Sequence, residues 1–241
     1  MIQATVTTRP ILELRNVSKT YGAIRALRNV SFSLYPAEVV GLVGDNGAGK
    51  STLSKVISGA LKPDSGELLV EGEPQVFDNA VDARAAGIET VFQTLAVVPT
   101  LNILENLYLG REIFLAGPLG RFFKVMNRSA MHREAGEGFR RLGLTLPSLK
   151  TKLGAMSGGQ RQAVAIARAV LWGSKIVVLD EPTAALGVHQ TEMVLAFIER
   201  LREHGVTVVL ISHNMQNVLR VANRVIVMRL GQRQFDGTVE G

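Results

Sequence analysis

Eight consecutive residues, Gly44-Asp45-Asn46-Gly47-Ala48-Gly49-Lys50-Ser51, fit the pattern G-x-x-x-x-G-K-[ST]. They lie between an apolar run, Glu38 to Val43, and an amphipathic stretch, Lys50 to Ser58. A strand, a glycine-rich turn and a helix in that order make a phosphate cradle: the glycines let successive backbone N–H groups point inward, and the helix adds its positive N-terminal end. The sequence therefore predicts a polyphosphate site at Gly44 to Ser51, with Thr52 beside it. Lys50 would reach the β and γ phosphates. Ser51 would give its hydroxyl to Mg²⁺, a hard ion that prefers oxygen ligands.

Along the rest of the chain strand-like runs alternate with helix-like periodicity, the signature of an α/β domain. Runs rich in Val, Ile and Leu predict strands at Glu38 to Val43, Ile88 to Phe92, Ile176 to Leu179, Val206 to Ile211 and Val225 to Met228, the pattern of a largely parallel, buried sheet. Helical spacing joins Leu53, Val56, Ile57 and Ala60, then Val194, Phe197, Ile198 and Leu201, then Met215, Val218, Leu219 and Ala222, all expected to face the core. Ile11 to Val17, Val30 to Leu34 and Gly66 to Glu71, with a turn at Tyr21-Gly22, predict a small antiparallel sheet beside the main one. Between Thr94 and Met156 the pattern turns mostly helical, broken by Pro99, Gly117-Pro118, Gly120 and Pro147, with its best helix at Ser129 to Leu142. One domain over residues 11–238 is expected, with core and antiparallel parts in 11–93 and 157–238 and an inserted helical subdomain in 94–156.

Composition removes several other chemistries. The 241 residues include no cysteine, so disulfides, Cys-ligated zinc and thiol nucleophiles are all excluded. No run approaches the ~18 apolar residues of a spanning helix, and Met1 to Leu14 has no apolar core of secretory length. A soluble protein, or one held at a membrane only through partners, is expected. The net charge of +6 could suit nucleic acid, acidic lipid or polyphosphate, but is most often an ordinary basic surface.

A second segment narrows the chemistry. Ile176-Val177-Val178-Leu179-Asp180-Glu181-Pro182 delivers two carboxylates to the C-terminal edge of a buried strand, where ligands bind in such sheets. Asp180 is placed to hold Mg²⁺, directly or through water. Glu181, expected on the opposite side of the pleat, is placed to polarise an attacking water. A second acid disfavours a small-molecule kinase.

Met156-Ser157-Gly158-Gly159-Gln160 precedes a helix expected to start near Arg161, and here the chain resembles the ATP-binding subunits of ABC transporters, whose signature is usually Leu-Ser-Gly-Gly-Gln. The resemblance runs from about Leu12 to Thr238 and implies a P-loop NTPase core with a mostly parallel sheet, an antiparallel β subdomain and a helical insertion. It implies a head-to-tail homodimer in which ATP lies between the phosphate loop of one subunit and Ser157, Gly158, Gly159 and Gln160 of the other. By the same resemblance Tyr21 stacks on adenine, Gln93 meets Mg²⁺ and the membrane partner, and His213 contacts the γ-phosphate. Lys50, Gln93, Glu181 and His213 are then the catalytic set, and Ser51, Gln93 and Asp180 the metal set. His132, His189 and His204 match no motif and are expected on the surface.

One departure stands out: where the family usually has Ala-Leu-Asp, this chain has Ala185-Leu186-Gly187, and the missing Asp commonly contacts the opposite subunit. The run from Gln93-Thr94-Leu95-Ala96 through Glu105-Asn106-Leu107-Tyr108-Leu109-Gly110-Arg111-Glu112, with Ala184 to Val188, resembles the monosaccharide importer branch. The resemblance implies an ATP-hydrolysing importer subunit at the cytoplasmic face of the cell membrane. It would be bound to integral membrane permease subunits and, through them, to a substrate-binding protein, with no membrane insertion and no nucleic acid. Arg111, Arg121, Lys124, Arg128 and Arg133 would face the membrane partner, acidic lipid or solvent. The alternative is a soluble ABC-type ATPase acting on nucleic acid or ribosomes.

Overall fold

The computed structural model describes residues 9–94, 96–117, 122–143 and 148–239. In chain order its elements are β1 (Leu12–Tyr21), β2 (Ile24–Leu34), β3 (Val39–Val43), α1 (Lys50–Ile57), β4 (Ser65–Val70), β5 (Glu73–Gln75), α2 (Ala80–Ala85), β6 (Ile88–Val91), α3 (Ile103–Tyr108) and α4 (Arg128–Arg141). A 3₁₀ turn (Leu153–Ala155) comes next, then α5 (Gly158–Val170), β7 (Ile176–Asp180), α6 (Val188–Glu203), β8 (Thr207–Ile211), α7 (Met215–Val221), β9 (Arg224–Arg229) and β10 (Gln232–Thr238). Leu95, Pro118, Gly120, Arg121 and Pro147, which the sequence singles out, lie outside the described residues.

The elements form two sheets, a four-stranded one ordered β2-β1-β4-β5 and a six-stranded one ordered β10-β9-β3-β8-β7-β6. The smaller is antiparallel throughout. In the larger, β9, β3, β8, β7 and β6 run parallel and only β10 is antiparallel, at an edge. Three strands that are consecutive in space, β3, β8 and β7, thus end on one edge, and the loops after them meet there.

Period-two alternation decides the layering. Val39, Val43, Val177, Leu179, Val208 and Leu210 project to one face and join α5, α6 and α7 in a core with Val164, Phe197 and Val218. Val40, Leu42, Ile176, Val178, Val209 and Ile211 project to the other and pack with Leu53 and Ile57 of α1 and with Leu14, Val30 and Phe32 of the antiparallel sheet. Both faces are covered, which is why these strands read as unbroken apolar runs.

The structure departs from the sequence expectations at particular places. Ala60 is exposed and lies beyond α1, which ends at Ile57 with Ser58 as its cap. Met215 and Leu219 are exposed, because Val218 and Val221 carry the buried side of α7. β10 is polar, Gln232 to Thr238, and gains its strand conformation by pairing with β9 instead of from an apolar pattern. α2 and β5 are too short to impose a period. His132, His189 and His204 are exposed as expected.

α7 lies close enough to β3 that a Cβ built on Gly41 would come within 2.2 Å of Val218 Cγ1. Gly41→Ala should therefore overpack this contact and cost about 1–3 kcal/mol, lowering Tm by several degrees at the ~2–4 °C per kcal/mol of a domain this size. Calorimetry should also show the loss partly recovered in Gly41→Ala/Val218→Ala, since the two changes share one contact.

Candidate functional site

β3 ends at Val43, and the chain turns through residues 44–49 before α1 begins at Lys50. The turn is braced from outside. Gly231 N–H, in the β9–β10 turn, donates to Ala48 O at 3.0 Å, and Arg28 N–H of β2 donates to Gly231 O at 2.8 Å. At Gly44, φ is +146° and a Cβ would lie 2.2 Å from Met228 O, so the residue needs both the glycine conformation and the missing side chain. Gly49 caps α1 without a side-chain acceptor, which leaves the first-turn N–H groups available to an anion. Lys50 is 8% exposed, and its Nζ donates to Gly44 O at 2.6 Å and Asp45 O at 3.0 Å.

Two cavities flank this turn. One of about 740 Å³ is lined by Gly44, Asp45, Asn46, Lys50, Ser51, Gln93, Asp180, Glu181 and His213, so it gathers groups from the ends of β3, β6, β7 and β8. The other, about 450 Å³, is lined by Tyr21, Arg25, Arg28 and the residues Asn46 to Thr52. Asn46, Lys50 and Ser51 belong to both. Tyr21 sits at the β1–β2 hairpin tip, 45% exposed, with its ring available to a planar group. Gln93 stands past the end of β6, which stops at Val91 and not at Phe92.

β7 runs to Asp180, and the chain then kinks: Glu181 has φ +51°, a left-handed conformation costing roughly 1–2 kcal/mol for a non-glycine residue. The kink replaces the expected pleat alternation and lets both carboxylates line one cavity. Burial pushes the Asp180 carboxyl above its ordinary pKa and neighbouring Glu181 adds to this, while Lys50 and Lys55 oppose it. Glu181 is tied to the end of β8. Its N–H donates to Ile211 O at 2.9 Å. Its Oε1 accepts from His213 N–H at 3.0 Å and lies 2.8 Å from His213 Nδ1, and its Oε2 accepts from Ser212 Oγ at 3.3 Å.

Ser157, Gly158, Gly159 and Gln160 line neither cavity. Helix α5 starts at Gly158, three residues before the expected Arg161, because Ser157 and Gln160 form a reciprocal cap: Gln160 N–H donates to Ser157 Oγ at 3.3 Å and Ser157 N–H to Gln160 Oε1 at 3.0 Å. Within one chain, then, the phosphate turn, Tyr21, Gln93, Asp180, Glu181 and His213 come together and the Ser157 to Gln160 segment stands apart.

Sequence reasoning passed over Arg25 and Arg28, Met215 and Arg229, which also line the two cavities. Two basic residues on a strand edge carry no motif, and only the hairpin's position beside the turn identifies them. It also passed over a smaller cleft of about 270 Å³ beyond β6, where Arg84, Arg111 and Arg168 surround Glu89 over Val97 and Ala165. Arg84 and Arg111 pair with Glu89 at 3.0 and 3.2 Å, and Arg168 donates to Ala96 O at 2.8 Å. Burial depresses the Arg168 pKa; Glu89 opposes this, while Arg111 and Arg84 add to it.

Ser51 hydroxyl, Gln93 carbonyl and Asp180 carboxylate are all oxygen donors on one cavity, a set that fits Mg²⁺. Among the described residues no three His, Cys, Asp or Glu side chains cluster as a metal cage, so an ion here would draw its remaining ligands from phosphate and water.

Comparison with known proteins agrees with this geometry. Residues 27–184 match the family model described as ABC transporter. The chain is 49% identical to the fructose import ATP-binding protein FrcA of Rhizobium meliloti, over 93% of this chain and 86% of that one. It is 43% identical to a xylose/arabinose import ATP-binding protein of Sulfolobus acidocaldarius, over 93% and 87%. A ribose import ATP-binding protein of Burkholderia ambifaria is 42% identical over 97% of this chain, which spans 44% of that relative. Among solved structures, a nucleotide-free ATP-binding cassette from an ABC transporter superposes with a TM-score of 0.82 at 31% identity, over 95% of this chain and 91% of that one. A dimeric cassette in a post-hydrolysis state bound to ADP and Pi gives 0.76 at 29%, over 95% and 99%. A glycine-rich turn open to an anion after β3, two acids at the end of β7 and a separate capped helix thus occur in a chain that belongs to the ABC transporter family, as an ATP-binding cassette.

Proposed function

We propose that this chain hydrolyses ATP as the homodimeric motor of a membrane importer, with a monosaccharide as the imported solute. The observation that carries the reading is the separation within one chain of two anion-binding elements, the phosphate turn and the Ser157-capped helix, of which only the first lines the cavities. A second copy turned head to tail would bring its Ser157 helix to the open side of the bound nucleotide. The dimeric relative supports a pair of cassettes, and the fructose, xylose/arabinose and ribose import relatives support sugar uptake over work on nucleic acid. No described helix is long and apolar enough to cross a membrane, so attachment at the cytoplasmic face would come through permease subunits and, beyond them, a substrate-binding protein.

In this reading Tyr21 stacks on the base, the N–H groups of residues 44–52 hold the phosphates, and Lys50 transfers its charge from the carbonyls of Gly44 and Asp45 to phosphate oxygens. Mg²⁺, held by Ser51, Asp180 and Gln93, would neutralise phosphate charge. Water attacks the γ-phosphorus as Glu181 takes its proton, and the bond to the leaving ADP oxygen breaks. His213 orients the Glu181 carboxylate before that step and faces the terminal phosphate during it. Closure results from donors of both subunits gripping one phosphate, and hydrolysis removes the grip.

The arginine cleft beyond Gln93 suits an acidic side chain of the permease, since three guanidinium groups face one carboxylate there. Arg168→Glu should leave hydrolysis by the isolated subunit within about twofold but reduce sugar uptake by reconstituted transporter at least about tenfold, a split read by running both assays on one preparation.

Glu181→Gln should retain ATP-dependent dimerisation in size-exclusion chromatography while steady-state phosphate release falls by roughly 10²-fold or more; unimpaired turnover removes Glu181 from its role. Asp180→Asn should also abolish turnover. Because burial and Glu181 together outweigh Lys50 and Lys55 in disfavouring the Asp180 charge, the same change should raise the Tm of the nucleotide-free protein.

A further inference from the structure

We propose that Ser212 is a positioning residue for ATP hydrolysis, fixing one oxygen of Glu181 while His213 holds the other; the proposal rests on the reading of Glu181 as the group that activates water. Ser212 comes directly after β8 and is 1% exposed. Its Oγ accepts from Asn214 N–H at 3.1 Å and donates to Glu181 Oε2 at 3.3 Å. A hydroxyl has one hydrogen, so with Asn214 N–H occupying an acceptor direction the donor direction is left for the carboxylate. Asn214 in turn caps α7, its Oδ1 accepting from Asn217 N–H at 3.2 Å. The Glu181 carboxylate is thereby referenced to the start of a packed helix.

The two oxygens of Glu181 have partners of opposite character. Oε1 meets the His213 ring, whose side chain is 69% exposed and free to swing toward a nucleotide. Oε2 meets a buried hydroxyl that has nowhere to go. When the His213 ring turns to the terminal phosphate, Oε1 keeps only the bond from the His213 backbone N–H at 3.0 Å, and a carboxylate held at that one oxygen could still rock about its last C–C bond. Ser212 removes that freedom, so Oε1 is left facing the cavity in a defined direction. The left-handed backbone at Glu181, φ +51°, serves the same end by turning the side chain back toward residues 212 and 213.

The test compares Ser212→Ala, Ser212→Thr and Ser212→Cys with the unaltered chain in steady-state phosphate release, with ATP-dependent dimerisation and Tm measured alongside. Ser212→Ala is expected to lower kcat at least about tenfold with KM and dimerisation altered less than about threefold, the mark of an interaction used in the reaction and not in binding. Ser212→Thr, which keeps the hydroxyl, is expected to stay within about threefold of the original kcat, and Ser212→Cys, with its weak S–H donor, to lose roughly tenfold. The cysteine variant decides the matter if alanine prevents folding. An alanine or cysteine variant with unchanged kcat, or a threonine variant as slow as either, overturns the proposal, as does a loss confined to KM or dimerisation. Glu181→Gln is run in parallel: if it turns over normally, the reading of Glu181 fails, whereas an inactive Glu181→Gln beside a fully active Ser212→Ala sinks only the role of Ser212.

Discussion

A cation that is almost out of water and has only carbonyl oxygens for partners sets the terms for the site. Lys50 is 8% exposed and donates to Gly44 O and Asp45 O. Burying a charge is costly unless an opposite charge is near, and neutral acceptors compensate only in part. The strand order supplies the rest: with β8 between β3 and β7, the end of β7 brings Asp180 to the same cavity, and Lys50 lowers the pKa that burial there raises. The turn around Lys50 is held against this imbalance from two sides, by the β9–β10 turn through Gly231, itself bonded by Arg28 of β2, and by the Met228 carbonyl against Gly44. Under the proposed function a polyphosphate would supply the missing counter-charge at this point.

The same need for an outside partner explains why the Ser157 segment stands apart. Its capping box satisfies two backbone donors inside the chain, yet Gly158 and Gly159 expose no side chain beyond it. Leu186 Cδ2 would lie 3.0 Å from a Cβ on Gly158, so the segment rests on the chain entering α6. That entry is Gly187, which starts α6 without a side-chain cap, at the position where the resemblance leads one to expect an acid. In the proposed dimer, communication from one nucleotide to the other would pass through backbone at this position and not through a carboxylate.

Much of the fold was legible because buried parallel strands leave an unmistakable trace: Ile176 to Leu179 and Val208 to Ile211 are apolar on both faces since both faces are covered. β10 left no trace, because an edge strand pairs through its backbone and Gln232 to Thr238 need not be apolar. Met215 and Leu219 were misplaced because helical spacing identifies a stripe without saying which of two adjacent stripes is buried. In the site, the phosphate turn and the two acids were readable from residue type and order. The relation between the acids was not: a left-handed residue at Glu181 has no signature in a side chain that ordinarily avoids that conformation, and Ser212 is one serine among many until β7 and β8 are paired.

The costs at this site are of one kind, and they point the same way. Asp180 carries a charge that its burial opposes, Glu181 holds a strained backbone angle, and Lys50 lacks a full counter-charge. Each lies at the C-terminal edge of the parallel sheet, behind which two continuous apolar cores press on both faces of the same strands. A local cost of a few kcal/mol is tolerable only where the surrounding structure over-determines the backbone. Asp180 ends β7 and Glu181 follows it, directly after Ile176 to Leu179, each with no exposed surface, while Lys50 opens the helix that follows β3, whose five residues are all buried. Placed on a surface loop, the same angles and charges would relax. Here they are kept poised beside the cavity in which, under the proposed function, Lys50 would meet a phosphate and Asp180 a Mg²⁺ ion.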